Sequence, residues 1–535
     1  MGVRTPRTTA VKGASAALSG LVAGYAALTV AEVVAVAVRP EAGPVTAVGG
    51  AVIDRTPSAV KDWAIRQFGT DDKLVLRLGI LTALAAFAVA MGLLALRHRR
   101  VAAAGTLVFG VIGAVAATGR PDSTSTLDAV PSLVGALAGA AVLFCLSGLA
   151  LSPAAPNDGG GDAGRATDGS GRPMGRRPFI LATAGVAAAS TGVGLLSRHL
   201  NATAAARAAA SRSAVRLPAP ASSAPQLPRG VQVGVPGVAP FTTPNRDFYR
   251  VDTALAVPRL DADRWRLRVH GKGVGSPLDV GFADLLGRDL IERDITMTCV
   301  SNEVGGPYVG SARWLGVPLR KLLEEAGVRP PSQGGPADQL VARSVDGMTL
   351  GSPVETVMDG RDAMLAVGMN GEPLPFEHGF PVRMLVPGLY GYVSACKWLQ
   401  DLELTTFDEY DAYWVKRDWA REAPVKTQSR IDTPKPFARP RSGTVVVAGV
   451  AWAQHKGIDR VEVRVDDGPW RDARLADEGP LDTWRQWSWE WPATPGSHTL
   501  QVRATDGTGY TQTDKRTRTI PDGASGRHAV VVNVT

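Results

Sequence analysis

The sequence predicts three fold classes in succession: all-α membrane helices at the N-terminus, an α+β domain in the middle and an all-β domain at the C-terminus. Three observations support this order. Most long apolar runs fall before residue 200. From Thr242 onward, short β-like runs and a few short helical patterns are separated by turns rich in Gly, Pro and Asp. After about residue 426, strand patterns follow one another. A chain of 535 residues is also too long for one hydrophobic core.

Four apolar runs near the N-terminus are each long enough to cross a hydrocarbon layer of about 30 Å. They cover residues 13–38, 78–96, 101–117 and 129–151. Flanking cations decide the orientation, because the cytoplasmic ends of membrane helices carry an excess of Lys and Arg. Lys12 precedes the first run, and Arg97, Arg99 and Arg100 separate the second from the third. Residues 1–152 are therefore predicted to form a four-helix anchor with a cytoplasmic N-terminus.

The next segment, 153–177, is rich in Gly, Asp and Ala and is predicted to be a flexible cytoplasmic linker. It ends in Arg176 and Arg177, which precede a fifth apolar run at 178–198. Paired arginines before an apolar segment are typical of a twin-arginine export signal. An ordinary fifth transmembrane helix with cytoplasmic cations is the alternative. Residues 199–241, rich in Ala and Pro, are predicted to be an external spacer, so the rest of the chain is expected on the outer side of the cell membrane.

Charge and histidine content narrow the functional classes. The net charge is +8, but many N-terminal cations flank apolar runs and no basic patch is interleaved with aromatic residues, so nucleic-acid binding is not expected. The membrane runs contain no histidine and the sequence has no C-x-x-C-H motif, so no haem is expected. The anchor is therefore predicted to contact membrane lipid. Electrons must pass to or from a separate donor or acceptor, either quinone-linked or a membrane redox protein.

Three cysteines are present, and their spacing excludes most thiol-based sites. No C-x-x-C pair occurs, so zinc and iron–sulfur sites are not expected, and the count is too low for a disulfide framework. Cys145 lies inside an apolar run and is predicted to be a small lipid-facing or packing residue. Cys299 ends a predicted strand and precedes a turn-rich loop, where one thiolate can complete a metal site that a cofactor otherwise holds. A buried structural cysteine and a disulfide with Cys396 are the alternatives.

Six segments, in order along the chain, resemble the sulfite oxidase family of molybdopterin-dependent oxidoreductases, in particular membrane-anchored bacterial members of the actinobacterial type. They cover 245–253, 295–302, 313–323, 369–383, 385–388 and 394–398. The first is similar to the family's opening cofactor contact, the second and third to its molybdenum-ligand region, and the fourth to its pterin-binding strand and loop. The resemblance implies a sulfite-oxidase-type molybdopterin domain over 242–425.

The same resemblance implies roles for individual residues. Cys299 would be both the catalytic residue and the metal ligand, giving its thiolate to a molybdenum whose other sulfurs come from one pterin dithiolene. The residues implied to hold the pterin and its phosphate are Tyr249, Arg250, Asn302, His378, Arg383, Ser394 and Lys397. Their types suit this task, since Arg makes bidentate contacts to phosphate and Lys supplies a point charge. The implied activity is that of a molybdenum-cofactor oxidoreductase acting on a small-molecule substrate.

The last part of the chain, 426–535, opens with a segment that resembles the family's crossing into its dimerisation domain. Trp487, Trp489 and Trp491 alternate, so they are expected on one sheet face, in a core or a subunit contact rather than a binding surface. Asp467 with Gly468 is a hairpin signal. These patterns predict an immunoglobulin-like sandwich of about 100 residues, and the resemblance implies a homodimer formed through it.

The resemblance to the family does not extend to the residues that are expected to bind the substrate. Sulfite oxidases place a basic residue soon after the ligand cysteine, whereas Glu303 stands in that stretch here. The segment 346–351 also lacks a counterpart of the family's substrate-site tyrosine. An acid repels an anionic substrate, so oxygen-atom transfer to or from a small S- or N-oxide, or its reduced form, is expected rather than sulfite oxidation. Two alternatives stay open: an exported binding or adhesion module on a membrane anchor, and a family member that has lost turnover.

Overall fold

The computed structural model describes residues 6–56, 60, 63, 67–68, 72–120, 123, 125–151, 177–254 and 256–535. The chain divides into two compact units, which we call the helical unit, Met1–Ala206, and the C-terminal unit, Arg207–Thr535. The predicted linker 153–177 lies outside the described residues apart from its last residue, where a helix begins. The twin-arginine prediction therefore falls largely on residues that the structure does not describe.

Five of the described helices are long and apolar enough to cross a membrane. The longer helices are α1 (Pro6–Val38), α2 (Pro44–Arg55), α3 (Asp72–Ala95), α4 (Arg99–Thr118), α5 (Val130–Leu151) and α6 (Arg177–Ala214). The four predicted apolar runs fall in α1, α3, α4 and α5. The fifth run was predicted to end at 198, but α6 continues to Ala214. The residues that follow the run are rich in alanine, which has the highest intrinsic helix propensity, so the predicted spacer begins as helix.

Glycines let α1 pack closely against two neighbouring helices. A Cβ built on Gly20 would lie 2.0 Å from the Ala88 carbonyl oxygen in α3, and a Cβ built on Gly135 of α5 would lie 2.5 Å from the Ala27 carbonyl oxygen. Small residues at such crossings bring helix backbones together and increase their van der Waals contact. One polar contact also ties α1 to α5: Arg39, just after α1, forms an ion pair of 2.6 Å with Asp128, just before α5.

The first part of the C-terminal unit, which we call the α+β part, contains two sheets. Its strands are β1 (Arg266–Gly271), β2 (Leu278–Gly281), β3 (Ile291–Thr298), β4 (Val309–Pro318), β5 (Gln339–Ser344), β6 (Thr349–Pro353), β7 (Met364–Met369), β8 (Glu372–Pro373), β9 (Arg383–Leu385) and β10 (Leu399–Thr405). One sheet has the order β2-β1-β10-β5-β6, and the other has the order β3-β4-β7-β8 with β9 also paired to β7. Its short helices are α7 (Phe282–Leu286), α8 (Leu319–Glu325), α9 (Val354–Met358) and α10 (Gly391–Ser394). The predicted α+β class is confirmed.

Strand β3, which was predicted to end at Cys299, is buried on both faces over its second half. Its residues from Asp294 to Thr298 are all buried, because both faces of the strand are covered. Asp294 is tolerated there because its carboxylate forms a two-pronged ion pair with Arg313 of β4, with nitrogen–oxygen distances of 3.0 and 2.8 Å. The strand that ends at Cys299 is thus part of the core.

The second part of the C-terminal unit, which we call the β part, contains two four-stranded sheets ordered β11-β12-β16-β15 and β14-β13-β17-β18. The strands are β11 (Gln428–Thr433), β12 (Gly443–Trp452), β13 (Ile458–Val465), β14 (Arg471–Asp472), β15 (Arg474–Leu475), β16 (Arg485–Ala493), β17 (Gly496–Asp506) and β18 (His528–Val534). Side chains from both sheets share one core, in which Trp487 and Trp491 are buried and against which Trp489 packs. The tryptophan stripe is therefore a packing feature. The predicted hairpin at Asp467 and Gly468 joins β13 to β14.

Residues 215–241 pack against the α+β part, although the sequence predicted a spacer there. The Ala221 N–H donates to the Leu290 carbonyl at 2.8 Å, and the Glu292 N–H donates to the Ser222 carbonyl at 2.8 Å. Val231 is buried in the same core as the α+β strands. The expectation of a free spacer is wrong for this segment, because its backbone finds partners along β3 that composition alone does not reveal.

Candidate active site

Cys299 lies one residue beyond the end of β3 and is 8% exposed. Its N–H donates to the Tyr308 carbonyl at 3.0 Å, so the pairing between β3 and β4 continues through the cysteine. Burial raises the pKa of the thiol, while hydrogen bonds from Ser301 and the charge of Lys397 act in the opposite direction. The thiol is therefore held at a strand end with a cation and hydrogen-bond donors near it.

The loop after Cys299 is closed by Asn302. The Asn302 N–H donates to the Cys299 carbonyl at 3.0 Å, and its side-chain oxygen accepts from the Tyr308 N–H at 2.8 Å. Asn302 is buried, whereas Glu303 beside it is exposed. The side-chain oxygen of Asn302 is thus used to hold the loop, and the acid that departs from the family pattern faces solvent.

Arg383, the first residue of β9, is a buried cation beside His378. Its Nη1 donates to the His378 carbonyl at 3.3 Å, and its guanidinium lies 5.1 Å from the centre of the Trp314 ring. Its Nε is buried and has no hydrogen-bond partner in the part of the chain that the structure describes. Burial lowers the pKa of Arg383 to about 10, which still leaves it charged at neutral pH. A buried charged donor without a partner is costly unless an anion completes it.

His378 is held in the neutral form. Its Nε2 lies 3.0 Å from the Asn245 carbonyl oxygen, so this nitrogen carries the proton and donates it. Burial, followed by the charge of Arg383, lowers the pKa of His378 to about 4. The other ring nitrogen is then an acceptor, which suits an N–H donor better than an anion.

Lys397 and Arg250 share one carboxylate. The Lys397 Nζ and the Arg250 Nε each lie 2.7 Å from Oδ2 of Asp252. Lys397 also donates to the Glu377 carbonyl at 3.3 Å. Burial lowers the pKa of Lys397 to about 8, against the opposing effect of Asp252. The sequence prediction treated both cations as phosphate ligands, and the structure adds the aspartate that partly neutralises them.

Tyr249 and Ser394 complete the predicted set. Tyr249 is half-buried, and its ring packs against Phe248 with centroids 5.2 Å apart and edge-on to Tyr308 at 6.4 Å. Burial and the charge of Cys299 raise the pKa of Tyr249, whereas the charge of Arg383 lowers it. The Ser394 hydroxyl donates to the carbonyls of Leu389 and Tyr390, both at 3.1 Å. Its donor is therefore satisfied within α10 and the turn before it, and any ligand would meet its oxygen or the backbone.

The disulfide alternative is wrong, because Cys299 and Cys396 are both free and buried. A second cluster of ligand-type residues, His270, Asp401 and Glu403, lies in the other sheet of the α+β part, with ligand atoms within 4.8 Å of one another. Arg343 already pairs with both carboxylates, at 3.7 Å to Asp401 and 3.0 Å to Glu403. We assign that cluster to charge balance on the sheet.

Sequence reasoning missed several residues that shape the site. Asp252 was within reach, because it stands two residues after Arg250 in a segment already singled out. Trp314 likewise lies inside the segment 313–323. Asn245 and Asn370 were not found as a pair: the Asn370 side chain donates to the Asn245 side chain at 2.8 Å, across a long stretch of sequence that gives no signal for their contact.

The groups that line this site fit a molybdopterin cofactor. The site combines a free thiol, a buried guanidinium with an unpaired N–H, a neutral histidine acceptor and a positive-φ glycine, Gly379, whose Cβ would contact Lys397 and Arg383 at 3.0 to 3.2 Å. The thiol suits a soft metal, and the guanidinium suits a phosphate.

Comparison with known proteins agrees with this chemistry. Residues 254–414 match the family described as an oxidoreductase molybdopterin binding domain. The fold and the site therefore define a molybdopterin-binding oxidoreductase. The similarity to sulfite oxidases described next supports a molybdopterin oxidoreductase of the sulfite oxidase type, with molybdenum-molybdopterin as its cofactor.

Individual relatives cover part of the chain. It is 29% identical to the mitochondrial sulfite oxidase of Homo sapiens over 303 residues, which are 49% of this chain and 55% of that protein. It is 32% identical to the sulfite oxidase of Gallus gallus over 291 residues, 46% of this chain and 62% of that protein. The crystal structure of the sulfane dehydrogenase SoxCD from Paracoccus pantotrophus is 27% identical, with a TM-score of 0.47, and covers 55% of this chain and 84% of that chain. The chain thus spans little more than half the length of the curated relatives it matches.

Proposed function

We propose that this chain is a membrane-anchored oxidoreductase that carries out oxygen-atom transfer at a molybdenum ligated by Cys299. The observation that carries the proposal is the free, buried thiol directly after β3, in a loop closed by Asn302. When bound, the cofactor would supply a redox metal for oxygen-atom transfer, in which two electrons pass in the direction opposite to that of the oxygen atom. The protein's own residues would bind it, orient it and control access.

We assign the cofactor contacts as follows. Arg383 would use its unpaired Nε for a phosphate or a pterin oxygen, and His378 would accept a pterin N–H at its free nitrogen. Tyr249, Arg250, Asn302, Ser394 and Lys397 would line the same cofactor. Cys299 must lose its proton to become a ligand. Because burial raises the pKa of its thiol, metal binding has to provide the free energy of deprotonation.

The proposed substrate is a small neutral S- or N-oxide, or its reduced form, rather than sulfite. Three features of the charge distribution support this choice. Glu303 is exposed in the loop after Cys299. Arg250 and Lys397 both share their charge with Asp252. Arg383 is buried next to His378 and is assigned to the cofactor. Little positive charge is then left to attract a dianion.

The proposed location is the outer side of the cell membrane, with an N-terminus in the cytoplasm and five transmembrane helices. The cations Arg97, Arg99 and Arg100 between α3 and α4 support this orientation. The ion pair between Arg39 and Asp128 joins the loops that this topology assigns to the opposite side. Lipid would surround the anchor, and a separate quinone-linked or membrane redox protein would exchange electrons.

The β part is proposed to be an immunoglobulin-like dimerisation domain. Two facing four-stranded sheets with one shared core support a sandwich. Sedimentation of the detergent-solubilised chain would test the homodimer directly.

The decisive experiment is elemental and pterin analysis of the purified chain from a host that makes the cofactor. The proposal expects molybdenum and pterin in equal amounts, with both lost or reduced in Cys299→Ala. A chain that contains neither would favour the binding or adhesion alternative, in which Cys299→Ser leaves ligand binding intact. Molybdenum without any redox response to small oxides would favour a family member that has lost turnover.

Export is tested separately by replacing Arg176 and Arg177 with lysine. The four-helix anchor should still insert, while the C-terminal unit should stay inside the cell. Protease protection in whole cells reports the side. A C-terminal unit that still reaches the outside would contradict the export assignment.

A further inference from the structure

The β part of the same unit covers the later portion of the second edge of β3, and Ser222 covers the beginning of that edge. β3 pairs with β4 along one edge. On the other edge the Thr296 N–H donates to the Asp482 carbonyl at 2.9 Å, and the Thr296 hydroxyl accepts from the Trp484 N–H at 2.8 Å. Trp484 is buried in the same core as the α+β strands. The strand that leads into Cys299 is thus held from both sides, and near the cysteine one of those sides belongs to the β part.

Gln454, two residues after β12, reaches the last residues before the cysteine. Its Nε2 donates to the Thr296 carbonyl at 3.0 Å and to the Thr298 hydroxyl at 2.9 Å. Gln454 is 3% exposed, so these hydrogen bonds are shielded from water. A strand end that precedes a loop is normally the part most free to move, and Gln454 restrains it at the residue next to Cys299.

Two further residues of the β part restrain the loop on the other side of Cys299. The Arg430 Nη1 donates to the Gly306 carbonyl at 2.9 Å, and its Nε is fixed by Asp432 at 2.6 Å. The His528 ring lies against Gly305, where an added Cβ would be 2.1 Å from the ring carbon Cδ2. Gly305 has φ +81°, so it meets both a backbone and a space requirement that only glycine satisfies.

We infer that the β part is a positioning element of the active site: Gln454, with Arg430 and His528, sets the direction in which Cys299 presents its thiol to the metal. The inference rests on the proposed function. A metal ligand must be held to within about half an ångström of its working position. Contacts within the α+β part hold one edge of β3 and close the loop through Asn302, and the β part adds a further restraint on each of the two arms that flank the cysteine.

Gln486 provides a matched control. It is also a buried glutamine of the β part, and it also makes two hydrogen bonds out of that part. Its Nε2 donates to the Ala239 carbonyl at 2.8 Å, and its side-chain oxygen accepts from the Val233 N–H at 2.8 Å. These contacts go to the segment before the α+β strands and not to the arms of Cys299. Replacing Gln486 with leucine therefore imposes a similar structural cost without touching β3.

The test measures thiol reactivity in the full-length chain purified without metal. Iodoacetamide labelling followed by mass spectrometry gives separate rates for Cys299 and Cys396. Gln454→Leu is expected to raise the Cys299 rate about tenfold through more frequent local opening, with the Cys396 rate unchanged. Gln486→Leu should change neither rate. Arg430→Gln, which acts from the loop side, should raise the Cys299 rate about threefold and serves if the Gln454 variant folds poorly.

A Cys299 rate that is unchanged in both the Gln454 and the Arg430 variants would overturn the inference, as would equal increases at Cys299 and Cys396. In metal-loaded protein, Gln454→Leu should also shift the thiolate-to-metal charge-transfer absorption and lower kcat with little change in KM, which a loss of general stability would not do. Labelling requires no metal, so a chain that never binds molybdenum still gives a clear result. Failure of the proposed function is seen separately, in the metal analysis.

Discussion

Two segments of the α+β part each carry a buried, free cysteine, yet their surroundings differ. The first ends in Cys299 and runs into a loop with exposed Glu303. The second holds Cys396, which is 2% exposed in the core of the α+β part and is followed directly by Lys397, whose side chain is 10% exposed. Burial raises the pKa of both thiols, and the charge of Lys397 opposes the rise at both; hydrogen bonds from Ser301 also oppose it at Cys299, whereas at Cys396 the charge of Asp346 adds to it. Burial and a nearby cation are therefore common to both thiols, and the hydrogen bonds from Ser301 distinguish Cys299.

The largest expected effect separates the two cysteines directly. Cys299→Ser should reduce bound molybdenum to below about a tenth of the wild-type content, since one protein ligand is lost. Cys396→Ser should keep the metal and lower stability by about 1–2 kcal/mol, the cost of a buried hydroxyl. Inductively coupled plasma mass spectrometry measures the bound molybdenum, and thermal unfolding measures the stability. Similar metal loss in both variants would remove the distinction drawn here.

The second test concerns Arg383, a buried cation of the candidate active site. Arg383→Met should lower pterin content about tenfold or more, because a charged hydrogen bond to phosphate is worth about 1.5–3 kcal/mol. Arg343→Met is the control, since Arg343 pairs with Asp401 and Glu403 in the other sheet. Fluorescence of the released, oxidised pterin quantifies both. Equal losses of pterin in the two variants would mean that Arg383 affects pterin content only through the folding of the protein.

A third test uses pH, because each segment has a histidine beside it, His378 buried and His528 half-buried. His378 contacts Arg383, and His528 packs against Gly305 in the loop after Cys299. Burial lowers the pKa of both histidines to about 4, from about 6.5 in the unfolded chain. As pH falls through 6.5 the unfolded chain binds protons that the folded chain does not, so stability is lost down to pH 4, by about 3 kcal/mol per histidine.

The unfolding temperature should therefore fall between pH 6.5 and 4. His378→Gln and His528→Gln should each remove about half of that histidine-linked decrease. A slope that survives in both single variants and in the double variant would assign the acid sensitivity to other groups.

The smallest expected effect is at Glu303. Glu303→Lys should lower KM for sulfite about threefold at low ionic strength, because a screened surface charge then attracts the anion instead of repelling it. Glu490→Lys, an equivalent change at an exposed residue of β16, controls for net charge. Steady-state kinetics at two salt concentrations distinguish them. No difference between the variants would mean that Glu303 has no part in substrate selection.

Many helices and strands of this molecule could be predicted from the sequence alone, because the patterns that indicate them involve only neighbouring residues. The apolar runs matched α1, α3, α4 and α5, since a membrane helix needs only a continuous stretch of suitable composition. The strand into Cys299 and the hairpin at Gly468 were also found from patterns a few residues long. The resemblance then placed Cys299, His378 and Arg383 in one site from motif order.

What the tertiary structure alone decided involves residues far apart in the chain. Asp252 neutralises Lys397 across a separation of 145 residues, and Gln454 reaches Thr298 across 156. Segment 215–241 finds its partners on β3, and α6 extends because its alanines favour helix in a way the spacer composition hid. Periodicity and composition describe how a residue suits its own neighbours in sequence. Which charge is cancelled and which strand edge is covered depend on contacts that form only when the chain has folded.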